Sequence, residues 1–209
     1  MKVALVNFSP RGEKSNSRIF ENYVKQHLDE SLQTVELNVA NVRFDENDFS
    51  VLNECNCWIF FYPLYIDSLP SHMLSFIAKL ENDVTFSCDK RLYAVANCGF
   101  YEGIQTRLSF EILDNWCSKS GINWCGGVGI GGSGCFEIFE RFRVYAGPRI
   151  PVNRALGFLA DNVASASVQC NDYVTVALPK RFYRAAGQIL WRQKIAENGG
   201  RSKDLFRIP

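Results

Sequence analysis

The chain has 209 residues, 47% of them hydrophobic, and a formal net charge of +1. This length and composition predict one domain with a full hydrophobic core and exclude general disorder. The longest apolar run, Cys57 to Tyr62, is too short to span a bilayer, and the first residues have no secretory signal pattern. We therefore expect a cytoplasmic protein with no membrane partner.

The cysteines and histidines argue against a metal site. Eight cysteines are present, mostly in apolar surroundings, but none forms a CxxC pair, and the chain has only two histidines. This pattern predicts reduced thiols, as in cytoplasmic proteins, and no bound metal. Cys55 and Cys57 form the closest pair, and packing is favoured for them over redox or metal chemistry.

Five hydrophobic segments predict strands, and four amphipathic segments predict helices. The strands are expected over residues 2–7, 33–38, 57–62, 91–97 and roughly 122–130, and the helices over 17–29, 70–81, 104–120 and 152–165. Near-continuous hydrophobic strands that alternate with helices indicate a parallel sheet covered on both faces. Residues 1–172 would form this α/β domain. Residues 173–209 would form a basic helical extension, with a short extended piece first, packed on or beside the domain.

The loop after the first strand has the features of an anion site. It runs from Ser9 to Ser17, is rich in Ser and Asn, and leads directly into an amphipathic helix. Free backbone N–H groups and the positive end of the helix favour a phosphate there. The lysine of a P-loop is absent, which excludes a Walker-type nucleotide site. An ordinary capped helix is the alternative interpretation of this loop taken alone.

Two further loops are expected at the same edge of the sheet, where parallel strands end. The first, Pro63–Pro70, offers Tyr65 and Ile66 at its tip. The second, Asn97–Gly103, has two aromatic residues between glycines, so its backbone can approach a flat ring closely. One loop suits a phosphate and two suit a planar heteroaromatic ring. These requirements describe FMN better than a sugar or a metal.

The loop residues resemble those of the NAD(P)H-dependent FMN reductase family of flavodoxin-like proteins. The resemblance covers roughly residues 2–135 and rests on the order and spacing of the two motifs Ser9-Pro-Arg11 with Ser15-Asn-Ser17, and Pro63-Leu-Tyr65 with Ser68-Leu-Pro70. It implies a doubly wound five-stranded sheet of order 2-1-3-4-5 and a non-covalent FMN. It also implies hydride transfer from NADPH or NADH, and a homodimer or tetramer.

The resemblance also implies the roles of individual residues. Those that would hold the FMN phosphate are Ser9, Arg11, Ser15, Asn16 and Ser17. Those that would line the flavin ring are Pro63, Leu64, Tyr65 and Ile66 on one side, and Asn97, Cys98, Gly99, Phe100, Tyr101 and Gly103 on the other. Many relatives carry a Lys and an Asp in the next helix, where this chain has Leu74 to Lys79. That departure weakens inferences about substrate or subunit contacts there.

The expected activity is hydride transfer from a nicotinamide to FMN and on to a quinone, a nitro or azo compound, or free flavin. FMN itself would carry the chemistry, so no catalytic side chain is required, and His27 and His72 are expected to be structural. A flavodoxin-type electron carrier is the alternative, although such carriers are usually strongly acidic and this chain is not. A third hypothesis is a protein that has lost the flavin and acts through its basic tail.

Two other sequence features have weaker functional interpretations. Residues 126–134 contain G-x-G-x-x-G twice, but they follow the predicted fifth strand and no acid lies about 20 residues on, so a dinucleotide fingerprint is disfavoured. The glycines would instead let the chain bend, or leave room for a flavin or a neighbouring subunit. Residues 179–209 carry eight basic and two acidic side chains. A solvated helix is favoured there, and we expect no nucleic-acid partner.

Overall fold

Six parallel strands form one central sheet. The computed structural model describes residues 1–39, 46–83, 89–136 and 147–206. The strands are β1 (Lys2–Asn7), β2 (Gln33–Asn38), β3 (Cys57–Pro63), β4 (Arg91–Asn97), β5 (Asn123–Gly131) and β6 (Asp172–Thr175). They lie in the order β2-β1-β3-β4-β5-β6, and every neighbouring pair is parallel.

Helices cover both faces of this sheet. They are α1 (Asn16–His27), α2 (Glu46–Glu54), α3 (Ser71–Asp83), α4 (Arg107–Ser120), α5 (Ile150–Ala164) and α6 (Lys180–Glu197). The predicted doubly wound α/β fold is therefore confirmed, with one correction: the sheet has six strands rather than five. The extended piece predicted at the start of the C-terminal extension pairs with β5 and becomes the sixth strand. Helix α2 was not predicted.

Alternation along the strands divides the core into two layers. Val3 and Leu5 of β1 pack with α1 and α5, whereas Ala4 and Val6 pack with α2, α3 and α4. The same alternation in β3 sends its aromatic side chains to both faces, all fully buried. Burial of each such side chain contributes about 1.5–3 kcal/mol to the free energy of unfolding, so both layers stabilise the sheet.

Glycines in β5 admit the loop that follows β4. A Cβ atom on Gly129 would overlap the Thr106 hydroxyl, and one on Gly131 would overlap the Tyr101 carbonyl oxygen. Without side chains at these positions the loop lies flat against the strand. The six glycine-rich residues 126–131 are thus part of β5 itself rather than a turn after it, and the space they leave is filled by the protein's own backbone.

The C-terminal segment is attached to the same loop. No residue of α6 is buried, yet the Tyr183 hydroxyl donates a hydrogen bond to the Gly99 carbonyl oxygen at 2.5 Å. The Tyr101 hydroxyl donates to Leu178 O at 2.7 Å, and Lys180 forms an ion pair with Glu102. The predicted division into two units after residue 172 stays a prediction, and β6 (Asp172–Thr175) contains residues on both sides of that boundary. None of the helices in the described ranges has the length and hydropathy of a membrane-spanning segment.

Candidate functional site

The loops that follow β1, β3 and β4 meet at one cavity of about 180 Å³. It lies at the carboxyl ends of these strands, where the strand order reverses between β1 and β3, which is the usual ligand position in an open parallel sheet. Its lining residues are Ser9, Arg11, Ser15, Asn16, Ser17, Pro63, Leu64, Tyr65, Asn97, Cys98, Gly99 and Ser133. Eleven of the fifteen residues predicted for the cofactor are therefore brought together.

Four predicted site residues lie outside this cavity. Ile66 is 98% exposed at the tip of its turn, and Phe100 is half exposed. Tyr101 is directed to the C-terminal segment by its bond to Leu178, and Gly103 packs against the β5 and β6 backbones. Ser133 lines the cavity but was not predicted, because its place in a glycine-rich segment gave no sign that it returns to the first loop.

The first loop ends in a capped helix start. The Ser15 hydroxyl accepts a hydrogen bond from Arg18 N at 3.1 Å and donates one to Gly12 O at 2.7 Å. Ser15 is thus the N-cap of α1. The backbone N–H groups of the first helical turn have no acceptor within the helix, so those of Asn16 and Ser17 are available to an anion.

Asn16 carries a polar atom that the protein leaves unsatisfied. Its Nδ2 donates to Ser133 O at 2.8 Å, whereas its Oδ1 is buried and has no hydrogen-bond partner among the described residues. A buried oxygen in this state costs free energy unless a ligand or water donates to it. Because Asn16 lines the cavity, a ligand hydroxyl or a water there can donate to this oxygen.

Asn97 joins the first and third loops. Its Nδ2 donates both to the Ser17 hydroxyl at 2.8 Å and to Tyr62 O at 3.0 Å. Because the Ser17 oxygen accepts from Asn97, its own hydrogen remains available to a ligand oxygen. Asn97 therefore fixes the distance between the helix start and the end of β4.

A buried polar chain supports the first loop from below. The Ser9 backbone N–H donates to Asn7 Oδ1 at 2.9 Å, and Asn7 Nδ2 donates to Glu21 Oε2 at 2.6 Å. Arg18 closes the chain through a 2.6 Å ion pair with Glu21. Burial raises the pKa of the Glu21 carboxyl to about 7, although Asn7 and Arg18 both act to lower it. The first loop is thus connected, through Asn7, to a carboxyl group whose pKa lies near neutrality.

The second loop contains a strained turn. Tyr65 and Ser68 exchange two backbone hydrogen bonds of 3.1 Å, so Ile66 and Asp67 form a two-residue hairpin. Both have positive φ angles, 47° and 60°, as a type I′ turn requires, but neither is glycine. A β-branched residue in this region is rare, and such strain is concentrated at functional sites.

The third loop is held by Ser133 and presents an unreactive thiol. The Ser133 hydroxyl donates to Cys98 O at 2.8 Å, and Gly132 N donates to Phe100 O at 2.6 Å. Burial raises the pKa of the Cys98 thiol to about 11, so it is protonated at neutral pH and is a weak nucleophile.

The arrangement fits a flavin mononucleotide. Hydroxyls, amide groups, Arg11 and the start of α1 supply the donors that a phosphate and a ribityl chain require, and Asn16 Oδ1 can accept from a ribityl hydroxyl. Leu64 and Tyr65 add apolar surface to the lining of the cavity, and the Gly99 backbone lines it too, which suits a flat ring. Neither histidine lines the cavity. No cluster of metal-ligating side chains occurs within the described ranges.

Comparison with known proteins supports the fold. No family model and no curated protein matches the chain. Among solved structures, an FMN-dependent NADH-azoreductase from Bacillus anthracis in complex with FMN has 14% identity and a TM-score of 0.54, with 78% of this chain and 100% of that chain covered. An NADPH-quinone reductase from P. pentosaceus has 15% identity and a TM-score of 0.55, with 78% and 98% covered.

A flavodoxin from Streptococcus pneumonia is also similar, with 19% identity, a TM-score of 0.55 and 79% and 99% of the two chains covered. At these identities the similarities establish the flavodoxin-like fold, as predicted.

Proposed function

We propose that this protein is an FMN-dependent oxidoreductase that takes hydride from NADPH or NADH. One observation carries the proposal: the anion-binding start of α1 opens into the same cavity as the loops after β3 and β4. A helix start suited to a phosphate and loops suited to a flat ring therefore line one cavity. The azoreductase and quinone reductase neighbours support a flavin oxidoreductase with this fold.

The residues of the chain bind and orient rather than react. Bound FMN supplies the hydride chemistry. Ser15 presents the helix start to the phosphate, and Asn16 and Ser17 bind oxygens beside it. Leu64 and Tyr65 exclude water from one side of the ring. Since Cys98 is protonated and no histidine lines the cavity, no lining side chain in the described part of the chain has the properties of a general base at neutral pH.

The proposal extends to partners. We propose a quinone, a nitro or azo compound, or free flavin as the electron acceptor, in a cytoplasmic homodimer or tetramer. The seven cysteines in the described ranges are free thiols, which supports a reducing compartment.

The test is reconstitution with FMN followed by NADPH and NADH under air. Bound flavin is expected to absorb between about 350 and 500 nm, to bleach with a nicotinamide and to regain its colour with oxygen. Asn16→Ala should weaken FMN binding on the order of ten-fold, because the ribityl contact is lost. Asn22→Ala, an exposed position on the same helix, should leave it unchanged. A protein that binds no FMN would contradict the proposal.

An electron carrier is the second candidate, and the flavodoxin likeness favours it. In that case FMN would bind but neither nicotinamide would be oxidised at a useful rate, while a reductase partner would exchange electrons rapidly. The near-neutral charge of the chain favours the enzyme.

A further inference from the structure

A second cavity adjoins the candidate cofactor site. It has a volume of about 640 Å³ and lies between α6 and the first and third loops. We call it the α6 groove; its lining residues are Arg11, Asn16, Gly99, Gly134, Cys135, Tyr183, Arg184, Gly187, Gln188, Leu190, Trp191 and Lys194. Arg11, Asn16 and Gly99 line both cavities. A ligand in the groove can therefore extend directly from the FMN site.

The charge of the α6 groove is positive. Arg11, Arg184 and Lys194 line it, and no carboxylate is among its lining residues in the described ranges. The residues that α6 contributes follow helical spacing, so they form one face of the helix. The two cations of α6, Arg184 and Lys194, favour a ligand that carries phosphate groups.

The groove also offers flat apolar surface. The Trp191 side chain is 62% exposed, so its ring is available to stack on a flat ligand. Tyr183 is held in place by its bond to Gly99. Gly187 adds room, since a Cβ atom there would meet nothing within 4 Å. An indole next to cations is suited to a purine base that bears phosphates.

We propose that the α6 groove binds an adenosine diphosphate unit, with the phosphates at Arg184 and Lys194 and the base on Trp191. This unit occurs in NAD(P)H and in FAD, and both would place it next to a flavin site. The inference rests on the proposed function for its biological meaning. It assigns a role to the basic C-terminal helix that the cofactor site alone does not require.

The direct test is titration of the purified full chain with ADP, measured by calorimetry and by quenching of tryptophan fluorescence. The double variant R184Q/K194Q should weaken ADP binding at least ten-fold, because two charge-assisted contacts are lost. The matched control R181Q/R192Q removes the same charge from positions on α6 that do not line the groove and should bind as the original protein does. Gly187→Phe should fill the groove and abolish binding.

Two further measurements identify the source of the unit. If it belongs to the nicotinamide cofactor, R184Q/K194Q raises the KM for NADPH or NADH and leaves FMN affinity unchanged. If it belongs to FAD, the same variant weakens FAD binding but not FMN binding. Absence of ADP binding, or equal loss in both double variants, would overturn the inference. FMN binding and turnover are separate readouts, so failure of the groove is distinguishable from failure of the proposed function.

Discussion

Glu21 connects the pH of the solution to the first loop. It is fully buried beneath Asn7, and its pKa lies at about 7 instead of the ordinary 4.5. Between these values the folded protein keeps a proton that the unfolded chain has lost, so the free energy of unfolding falls as pH rises. The decrease from this group between pH 5 and pH 8 is on the order of 2–3 kcal/mol.

Glu21→Gln should remove that dependence. We expect the variant to match the original protein near pH 5, where Glu21 is protonated, and to be more stable at pH 8, where the charged carboxyl is costly to bury. Urea unfolding at the two pH values measures the difference. Glu111→Gln, at a position half exposed on α4, is the control and should keep the original dependence. A Glu21→Gln variant with the same pH dependence would show that another group is responsible.

Ile66 is held in a conformation that its side chain disfavours. Its φ of 47° and its 98% exposure mean that no packing in the described chain compensates for the strain. Ile66→Asn should raise stability by about 1 kcal/mol, because Asn tolerates this conformation. If the exposed side chain serves an apolar acceptor, the KM for a quinone should rise while FMN affinity is unchanged.

The control is Ile104→Asn, at an isoleucine that is 46% exposed and has no positive φ. It should not stabilise the protein. Thermal unfolding and quinone kinetics on both variants distinguish the two cases, and an Ile66→Asn variant that is no more stable than the original would mean that the turn is not strained.

The cavity residues were predictable where each follows directly from a strand end. Ser15 and Asn97 lie at the carboxyl ends of buried strands or at the helix start, and the topology alone brings them together. The positions of Ile66, Phe100 and Tyr101 outside the cavity were not predictable. The directions of these side chains depend on the turn type and on contacts with the C-terminal segment, and no local sequence pattern predicts the turn type or those contacts.

At the scale of elements, the glycines of β5 determine how closely the third loop approaches the sheet. A methyl group on Gly129 would overlap Thr106, so Gly129→Ala should lower the free energy of unfolding by about 2 kcal/mol or more. Gly157→Ala is the informative contrast. This glycine lies within α5 with no atom near its Cβ position, so the substitution should raise stability by up to about 1 kcal/mol. Chemical denaturation of both variants tests this role of Gly129. A Gly129→Ala variant with an unchanged free energy of unfolding would contradict it.

The strands and helices with long hydrophobic or amphipathic patterns were predictable from the sequence, and the short ones were not. β1, β3 and β4 are continuous hydrophobic runs, and α1 and α4 have strong apolar faces, so their places in the chain followed from periodicity. β6 has only four residues, none fully buried, and its pairing with β5 is a tertiary contact that no local pattern encodes. α2 has nine residues, too few for its period to stand out.

At the scale of the whole molecule, the C-terminal helix stabilises a binding loop and contributes little to the core, against which Tyr183 and Ala186 pack partly buried. Tyr183 bonds to Gly99, and Lys180 pairs with Glu102, whereas no residue of α6 is buried. Removal of the chain after Pro179 should therefore leave cooperative unfolding of the sheet intact. It should also allow the loop after β4 to fluctuate, since two of its attachments are lost.

Truncation after Pro179 is expected to weaken FMN binding several-fold and to speed hydrogen exchange at the Gly99–Gly103 amides. The full-length double variant K180Q/Y183F removes the same two contacts without deleting the helix, and it should reproduce most of the loss in FMN affinity. Urea unfolding monitored by circular dichroism reports whether the sheet is intact in both proteins. If the truncated chain binds FMN as tightly as the full chain and its loop amides exchange no faster, α6 does not stabilise the loop, and its basic face acts only on ligands in the α6 groove.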